Sequence, residues 1–223
     1  MTWDWSFTAQ IAPRIFAGLG TTLLATLFGT LIALIVGFVI MLGRRSGSAW
    51  ASVPARLYVY LFRGTPLLIQ FYFAYYVLPL AGVKTPAFVA GAVTLGLNFA
   101  TYFAETYRAG IESVPAAQWE AARALSFSRA RTWGSVVIPQ AIRSALPALG
   151  NHVNLMFKMS ALMAAISVLD VFGTAIDIGG TTYRYLEPVT TAGVLYLVIS
   201  IPFSYLIRRA ERRQKNPSQY QEV

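Results

Sequence analysis

An all-α protein that crosses a bilayer several times is predicted here by three observations. Hydrophobic residues make up 56% of the 223 positions and charged residues only 12%, and mean hydropathy is +0.55; a soluble core needs nothing so apolar. Apolar stretches long enough to span as helices recur along the chain. The basic residues gather between them. Of the 18 Lys and Arg, only Arg14, Lys84, Lys158 and Arg184 fall outside the segments assigned to the cytoplasm, which is the positive-inside pattern. The net charge of +9 thus reports orientation, not nucleic-acid binding. The prediction is five transmembrane helices with the N-terminus outside and the C-terminus cytoplasmic.

Met1 to Gln10 carries Asp4 and two Trp and does not read as a cleavable signal peptide. Trp3, Trp5 and Phe7 suit a membrane interface. The first span is Phe16 to Leu42. Gly18, Gly20, Gly29 and Gly37 lie along it with Thr21, Thr22, Thr26 and Thr30 between. Such spacing serves close helix packing, or is glycine merely tolerated in a membrane helix. Arg44, Arg45 and Arg56 mark a cytoplasmic loop.

The second span runs from about Tyr58 to Leu80. It is broken near Arg63-Gly64-Thr65-Pro66, because proline restricts the residue before it and removes a helix hydrogen bond. The break exposes Arg63, Thr65 and Gln70 to a passage between helices, or serves packing alone. The third span runs from Ala87 to about Tyr107. Asn98, Thr101, Tyr102 and Glu105 share one helical face, and a polar face inside a membrane is expected to look into the bundle.

Between the third and fourth spans lies the longest polar stretch, about 110–140. Pro115 suits the first turn of a short helix from Ala116 to Leu125. Ser128 caps a second helix to Val137, which Pro139 then ends. Glu120, Ala121 and Ala122 sit at the centre. Adjacent alanines allow another backbone to approach, Trp119 offers an anchor, and Glu120 and Arg123 offer charges that set register.

The fourth span starts near Ala141 and is the most polar, with Asn151, His152, Asn154, Lys158, Ser160 and Asp170. Val171 to Glu187 is an outer segment. The fifth span runs from Pro188 to about Ile207. Basic residues follow, and residues 214–223 read as a disordered tail after a membrane domain spanning 1–213.

Several chemistries are excluded. No Gly-x-x-x-x-Gly-Lys-Ser/Thr occurs, so the chain holds no ATP by a P-loop. There is no cysteine and a single histidine, His152, which is no metal site and is read as a hydrogen-bonded packing or pore residue. No nucleophile–base–acid group is visible. The chain is not expected to be an enzyme by itself or to hold a cofactor.

The polar stretch carries a resemblance. Glu120-Ala121-Ala122, with Ser126 in the glycine place and Val136, Ile138 and Pro139 at the expected spacing, resemble the cytoplasmic loop of ABC importer permeases. That pattern is Glu-Ala-Ala, three residues, Gly, nine residues, Ile, one residue, Leu-Pro. Ser126 replaces the glycine, which bears on the tight turn between the two loop helices. Arg63 to Gln70 resembles a second motif, typical of polar amino acid permeases. Gln118 to Ala122 and Tyr183 to Pro188 look most like ectoine and hydroxyectoine permeases. Family members tend to carry Lys-Asp-Thr-Ser-Leu where this chain has Lys158-Met159-Ser160-Ala161-Leu162, so the acid is missing.

The resemblance implies a permease subunit that pairs with an identical or paralogous copy in the bacterial inner membrane, surrounded by lipid. It implies docking on two ATPase subunits that hold ATP and Mg, through Gln118, Trp119, Glu120, Ala121, Ala122, Arg123 and Ser126, and an extracytoplasmic binding protein that delivers a small polar solute. For a zwitterionic cargo, Lys158 is expected to meet a carboxylate. Asn98, Thr101, Asn154 and Ser160 complete the hydrogen bonds, and Phe99 and Tyr102 face a cation. With Met159 in the place of the acid, a strongly cationic side chain is not expected to be gripped. Alternatively, Lys158 pairs with Asp170 or a carbonyl and only holds the bundle. An ion-driven secondary transporter is the competing class, but the duplicated halves it usually shows are not found. A structural scaffold is disfavoured by a charge, Lys158, read as buried in a span.

Overall fold

The computed structural model describes residues 3–214, and every regular element among them is helical. Four helical stretches are long and apolar enough to cross a membrane: Trp5–Arg45, Ala87–Glu112, Arg129–Thr182 and Leu186–Arg212. The apolar stretch Leu67–Ala81 is shorter. The tail expected over 214–223 lies, from residue 215 onward, outside the described residues.

Helix α1 (Trp5–Arg45) starts well before the expected Phe16. The Asp4 carboxylate caps it, accepting from the Phe7 N–H at 3.0 Å, which satisfies one of the free donors of the first turn. The aromatic start is therefore already helical. Its C-terminal turn carries Arg44 and Arg45, the sign favoured by the helix dipole.

Helix α2 (Ala49–Gly64) begins earlier than expected and stops at the predicted break, with Thr65 and Pro66 both extended. Helix α3 (Leu67–Tyr72) resumes the direction, then widens into a π turn at Phe73–Val77 and tightens into a 3₁₀ turn at Leu78–Ala81. Gly82, at φ 88°, ends it.

Helix α4 (Ala87–Glu112) is the central post, with most of its length buried. It lies against α1 through glycines. A Cβ on Gly96 would stand 2.8 Å from the Gly29 carbonyl oxygen, and one on Gly37 would stand 2.8 Å from the Phe103 Cβ. Gly18 likewise meets the Asp170 carbonyl, whereas Gly20 meets nothing. Of the four glycines singled out in the sequence, the packing reading holds for Gly18, Gly29 and Gly37.

Helix α5 (Ala116–Ala124) follows with Pro115 one step before it, as its N-cap rather than in its first turn. The short α6 (Arg129–Arg131) runs through a π turn at Thr132–Val137 into α7 (Ile138–Met159). Pro139 was expected to end a helix and instead sits in the first turn of α7. A wide π turn just before it accommodates a ring that would clash with the carbonyl four residues back in a regular α-helix.

A 3₁₀ segment (Ser160–Ile166) and Ser167, at φ 64°, turn the chain into α8 (Val171–Thr182). Helix α9 (Leu186–Gln214) closes the bundle. Three clusters make the core. One joins α1, α3, α4 and α7 around Phe71, Leu95, Phe103 and Met156. The second lies towards the α5 end, and the third holds α8 and α9 to the first turns of α1.

Candidate functional site

Two regions carry the residues singled out by the sequence. The first lies at the end of the bundle that holds α5. Leu125 N donates to Ala121 O, Ser126 N to Arg123 O and Phe127 N to Ala122 O, at 2.9–3.0 Å. This is the Schellman pattern, whose turning residue is usually glycine. Ser126 takes that role at φ 55°. The tight turn placed in question by the missing glycine is therefore made by serine, at a cost of about 1 kcal/mol for a left-handed residue bearing a Cβ.

Within α5 the faces divide cleanly. Ala122 is buried, while Gln118, Glu120, Ala121 and Arg123 are exposed. No hydrogen bond among the described residues engages the side chains of Glu120 or Arg123, and Gln118 meets only Gln140 at 3.4 Å. Trp119, expected to anchor a partner, is turned inward. Its ring stands edge-on to Trp133 at 5.4 Å, and the Arg45 guanidinium lies 5.9 Å from the Trp133 ring. The pair fastens α5 to the π turn and to the end of α1, because the apolar face of so short a helix must be buried somewhere. Sequence reasoning missed Leu125, a large apolar side chain 67% exposed beside the turn. Its signal was a leucine inside a polar loop.

The second region is where the α2–α3 break meets α4. Gln70 Nε2 donates to Phe62 O, Thr65 O and Thr65 Oγ1 at 2.7–3.0 Å. Asn98 Nδ2 donates to Phe62 O and to Gln70 Oε1 at 3.1–3.2 Å. Arg63 reaches the Thr101 carbonyl at 2.9 Å and lies 4.8 Å from the Tyr102 ring centroid, within cation–π range. Proline and the extended backbone free carbonyls at the break, and these side chains satisfy them, as an apolar surrounding requires. Arg63, Thr65, Gln70, Asn98, Thr101 and Tyr102 thus form one continuous polar network. His152 stands 5.6 Å from the Tyr102 ring and shares a hydrogen bond with Thr106 at 3.1 Å.

Other expected members lie elsewhere. Phe99 is in the apolar core and Met159 packs against it. Asn154 Nδ2 donates to Ser204 Oγ on α9 at 2.7 Å. Ser160 is buried and donates to Phe157 O at 2.9 Å. Glu105 does not look into the bundle with Asn98. It meets Arg44 at 2.8 Å and is also paired with Arg108, which bonds Glu112, where α1 and α4 end.

The alternative reading, in which Lys158 pairs with Asp170 or a carbonyl, finds no such bond among the described residues. Asp170 is fully buried as the cap of α8, accepting from Gly173 N at 2.7 Å and from the Tyr196 hydroxyl at 3.1 Å. Such a buried cap lines no passage. Lys158, read as buried, is exposed and has no hydrogen bond or ion pair among the described residues. The reason is helical register. Ser144, Ala148, Asn151 and Lys158 are all exposed on α7, at spacings that place them on one stripe. Two cavities among the described residues have almost wholly apolar walls, and the stripe with Lys158 faces outward.

The comparisons with known proteins agree with this layout. Residues 29–216 match the family described as "Binding-protein-dependent transport system inner membrane component". A probable amino-acid ABC transporter permease of Sinorhizobium fredii, y4tG, is 37% identical over 212 residues, covering 93% of this chain and 92% of the relative. The arginine transport system permease ArtQ of Bacillus subtilis is 36% identical over 217 residues, covering 97% and 99%. A crystal structure of an amino acid ABC transporter with histidines superposes with a TM-score of 0.90 at 38% identity, over 96% of this chain and all of the other. The methionine transporter MetNI, in an inward-facing form, gives 0.69 at 20% identity over 89% and 93%, which shows a shared fold.

Proposed function

This chain belongs to the binding-protein-dependent transport system inner membrane component family, and from that premise we propose how its parts work in an ATP-driven importer. It is a multi-pass inner-membrane permease subunit, and the family assignment sets aside the ion-driven alternative. In the proposed arrangement it crosses the membrane five times, the broken α2–α3 segment supplying the second crossing. The N-terminus is outside and the C-terminus cytoplasmic. It pairs with an identical or paralogous copy, rests on two ATPase subunits that hold ATP and Mg, and receives cargo from an extracytoplasmic binding protein.

The observation that carries this reading is the exposed face of α5. Gln118, Glu120, Ala121 and Arg123 stand free on a nine-residue helix whose two ends lead directly into long spans. Behind it, Arg129–Met159 is continuous helix through the π turn. A displacement of α5 by a partner is passed to α7 through the short, hydrogen-bonded turn at Leu125–Ser128 and the Trp119–Trp133 contact. Replacing Ala121 with Trp leaves the membrane fold intact and abolishes coupling. The measurement is ATP hydrolysis stimulated by the binding protein in the reconstituted complex. Unchanged stimulation and uptake would sink the proposal.

The proposed cargo is a polar amino acid or a zwitterionic solute of the ectoine kind. The relatives named above include one for arginine, so competition of uptake by arginine against glutamine and ectoine separates the possibilities. Lys158 is the proposed carboxylate contact, on a face of α7 that needs a partner or an aqueous passage, because a lone ammonium against lipid costs several kcal/mol, ~2.5–3.5. Lys158→Met is expected to lose uptake while binding-protein-stimulated hydrolysis remains. Uptake with unchanged apparent affinity would make Lys158 structural.

A further inference from the structure

A second feature of the broken segment faces the opposite way. A groove of about 500 Å³ runs between the α2–α3 segment and α4. Leu61, Ile69, Phe73, Val83, Val89 and Val93 line it, and all six are exposed, so the groove is open along its side. Two of its polar members, Thr65 and Gln70, are engaged in hydrogen bonds of their own. Thr65 donates to Leu61 O at 2.9 Å and accepts from Gln70, and Gln70 is consumed by the network with Phe62 and Asn98. The groove exists because the span is irregular: the break at Thr65 and the π turn at Phe73–Val77 both lie on its wall.

One charge stands at its mouth. Val83 and Thr85 line the groove, and Lys84 between them is exposed, with no hydrogen bond or ion pair among the described residues. The loop that carries it is fixed. Gly82 N donates to Pro79 O and Val83 N to Leu78 O, each at 3.1 Å, the Schellman pattern again with Gly82 left-handed. An apolar trough the length of two helix segments, with a fixed cation at one end, has the chemistry of a lipid. The volume is of the order of one fatty-acyl chain. A second copy of the chain suits this face poorly. The stripe with Ser144, Asn151 and Lys158 on α7 cannot face hydrocarbon and takes the partner, whereas the groove carries no charge along its walls.

We infer that this groove is a phospholipid site, holding one acyl chain against α4 with the lipid phosphate at Lys84. The test uses the full-length chain purified in detergent with its copurifying subunits. Palmitoyl-oleoyl phosphatidylglycerol or the matching diacylglycerol is added, and retained lipid per chain is counted by native mass spectrometry. Val93→Trp fills the trough and lowers retention of both lipids about tenfold, the scale of one lost side-chain-sized contact. Lys84→Gln lowers retention of the phospholipid about fivefold, as expected for one basic residue at a headgroup, and leaves the diacylglycerol unchanged. Val89→Trp, at the rim, replaces Val93→Trp if that variant does not elute as folded protein. Unchanged retention in the filled-groove variant overturns the inference, as does equal loss of both lipids in Lys84→Gln. A disulfide between two Val93→Cys chains in the membrane, clean in a chain with no native cysteine, also overturns it, since a second copy would then occupy the groove.

Discussion

Helix α4 presents two unlike faces. Towards α1 it offers Gly96, Ala100 and Ala104, and the two backbones approach until a Cβ on Gly96 would stand 2.8 Å from a carbonyl. Towards α2 and α3 it offers Asn98, whose amide donates to the Phe62 carbonyl, and Thr101, whose carbonyl accepts from the Arg63 side chain, beside a backbone interrupted by proline. Apart from the Arg44–Glu105 pair at its end and the Tyr107–Leu34 hydrogen bond, the first contact is dispersion and shape and tolerates little displacement, because a close-packed seam loses contact energy over fractions of an ångström. The second is a set of hydrogen bonds whose partners can be exchanged one at a time. A single helix thus joins a close-packed seam to a hydrogen-bonded one.

The largest expected effect breaks the rigid seam. Gly96→Leu drives a side chain into Gly29 and Ile32 and costs about 3 kcal/mol or more; the measurement is the fraction of monodisperse protein in detergent and its melting temperature. Retained stability would mean that α1 and α4 slide past one another, and the contrast would fail. Next is Asn98→Ala, which leaves Gln70 Oε1 without a donor and Phe62 O with that of Gln70 alone, at a cost of about 1–3 kcal/mol. Hydrogen exchange is expected to quicken over residues 62–70 while α1 stays protected. Equal quickening in both would show one cooperative unit. Thr65→Cys, which weakens the bonds of that hydroxyl to Leu61 O and Gln70, sharpens the point. Its labelling by a water-soluble maleimide is expected to change when an ATP analogue is bound to the reconstituted complex, and equal labelling would remove any gating role from the break.

Two smaller effects lie away from α4 and serve as controls. Ser126→Gly relieves a left-handed serine and raises stability by about 1 kcal/mol with exchange on both faces unchanged. At the other end, the Asp4 carboxyl is held down to about 2 by the Phe7 N–H, with help from the Ser6 hydroxyl and the Arg184 guanidinium. A lowered carboxyl contributes stability that is complete above its ordinary value of 3.8 and is lost as pH falls towards about 2. Melting temperature is therefore flat through neutral pH and drops in acid, and Asp4→Asn removes that part of the drop.

Much of this architecture was legible because membrane burial is written in composition. The spans, the break at Thr65-Pro66 and the short helix at Ala116 follow from apolar runs and from proline. What was illegible depended on register and on long-range partners. Pro139 ends a helix by every local rule, and only a π turn just before it keeps the helix going. Trp119 faces inward because Trp133, fourteen positions away, stands beside it. Asp170 and Lys158 are oppositely charged and separated by the 3₁₀ segment Ser160–Ile166, yet the first is spent on capping α8 and the second faces outward. Neither fate is encoded locally. The grouping of Arg63, Gln70 and Asn98 was anticipated as a set of residues but not as a mutually satisfied network.

The 41 residues of α1 have a further consequence in plain length. At 1.5 Å per residue the helix measures about 60 Å, twice the roughly 30 Å of a hydrocarbon core. Tilt absorbs only part of the surplus, so a mast of helix stands clear of the bilayer, stayed by Ile11 and Ile15 against α8 and α9. Water-soluble proteases, antibodies or dyes aimed at Ala9 and Gln10 meet an ordered rod rather than a loose leader, and a fluorophore fixed there reports the attitude of the whole helix to the membrane plane.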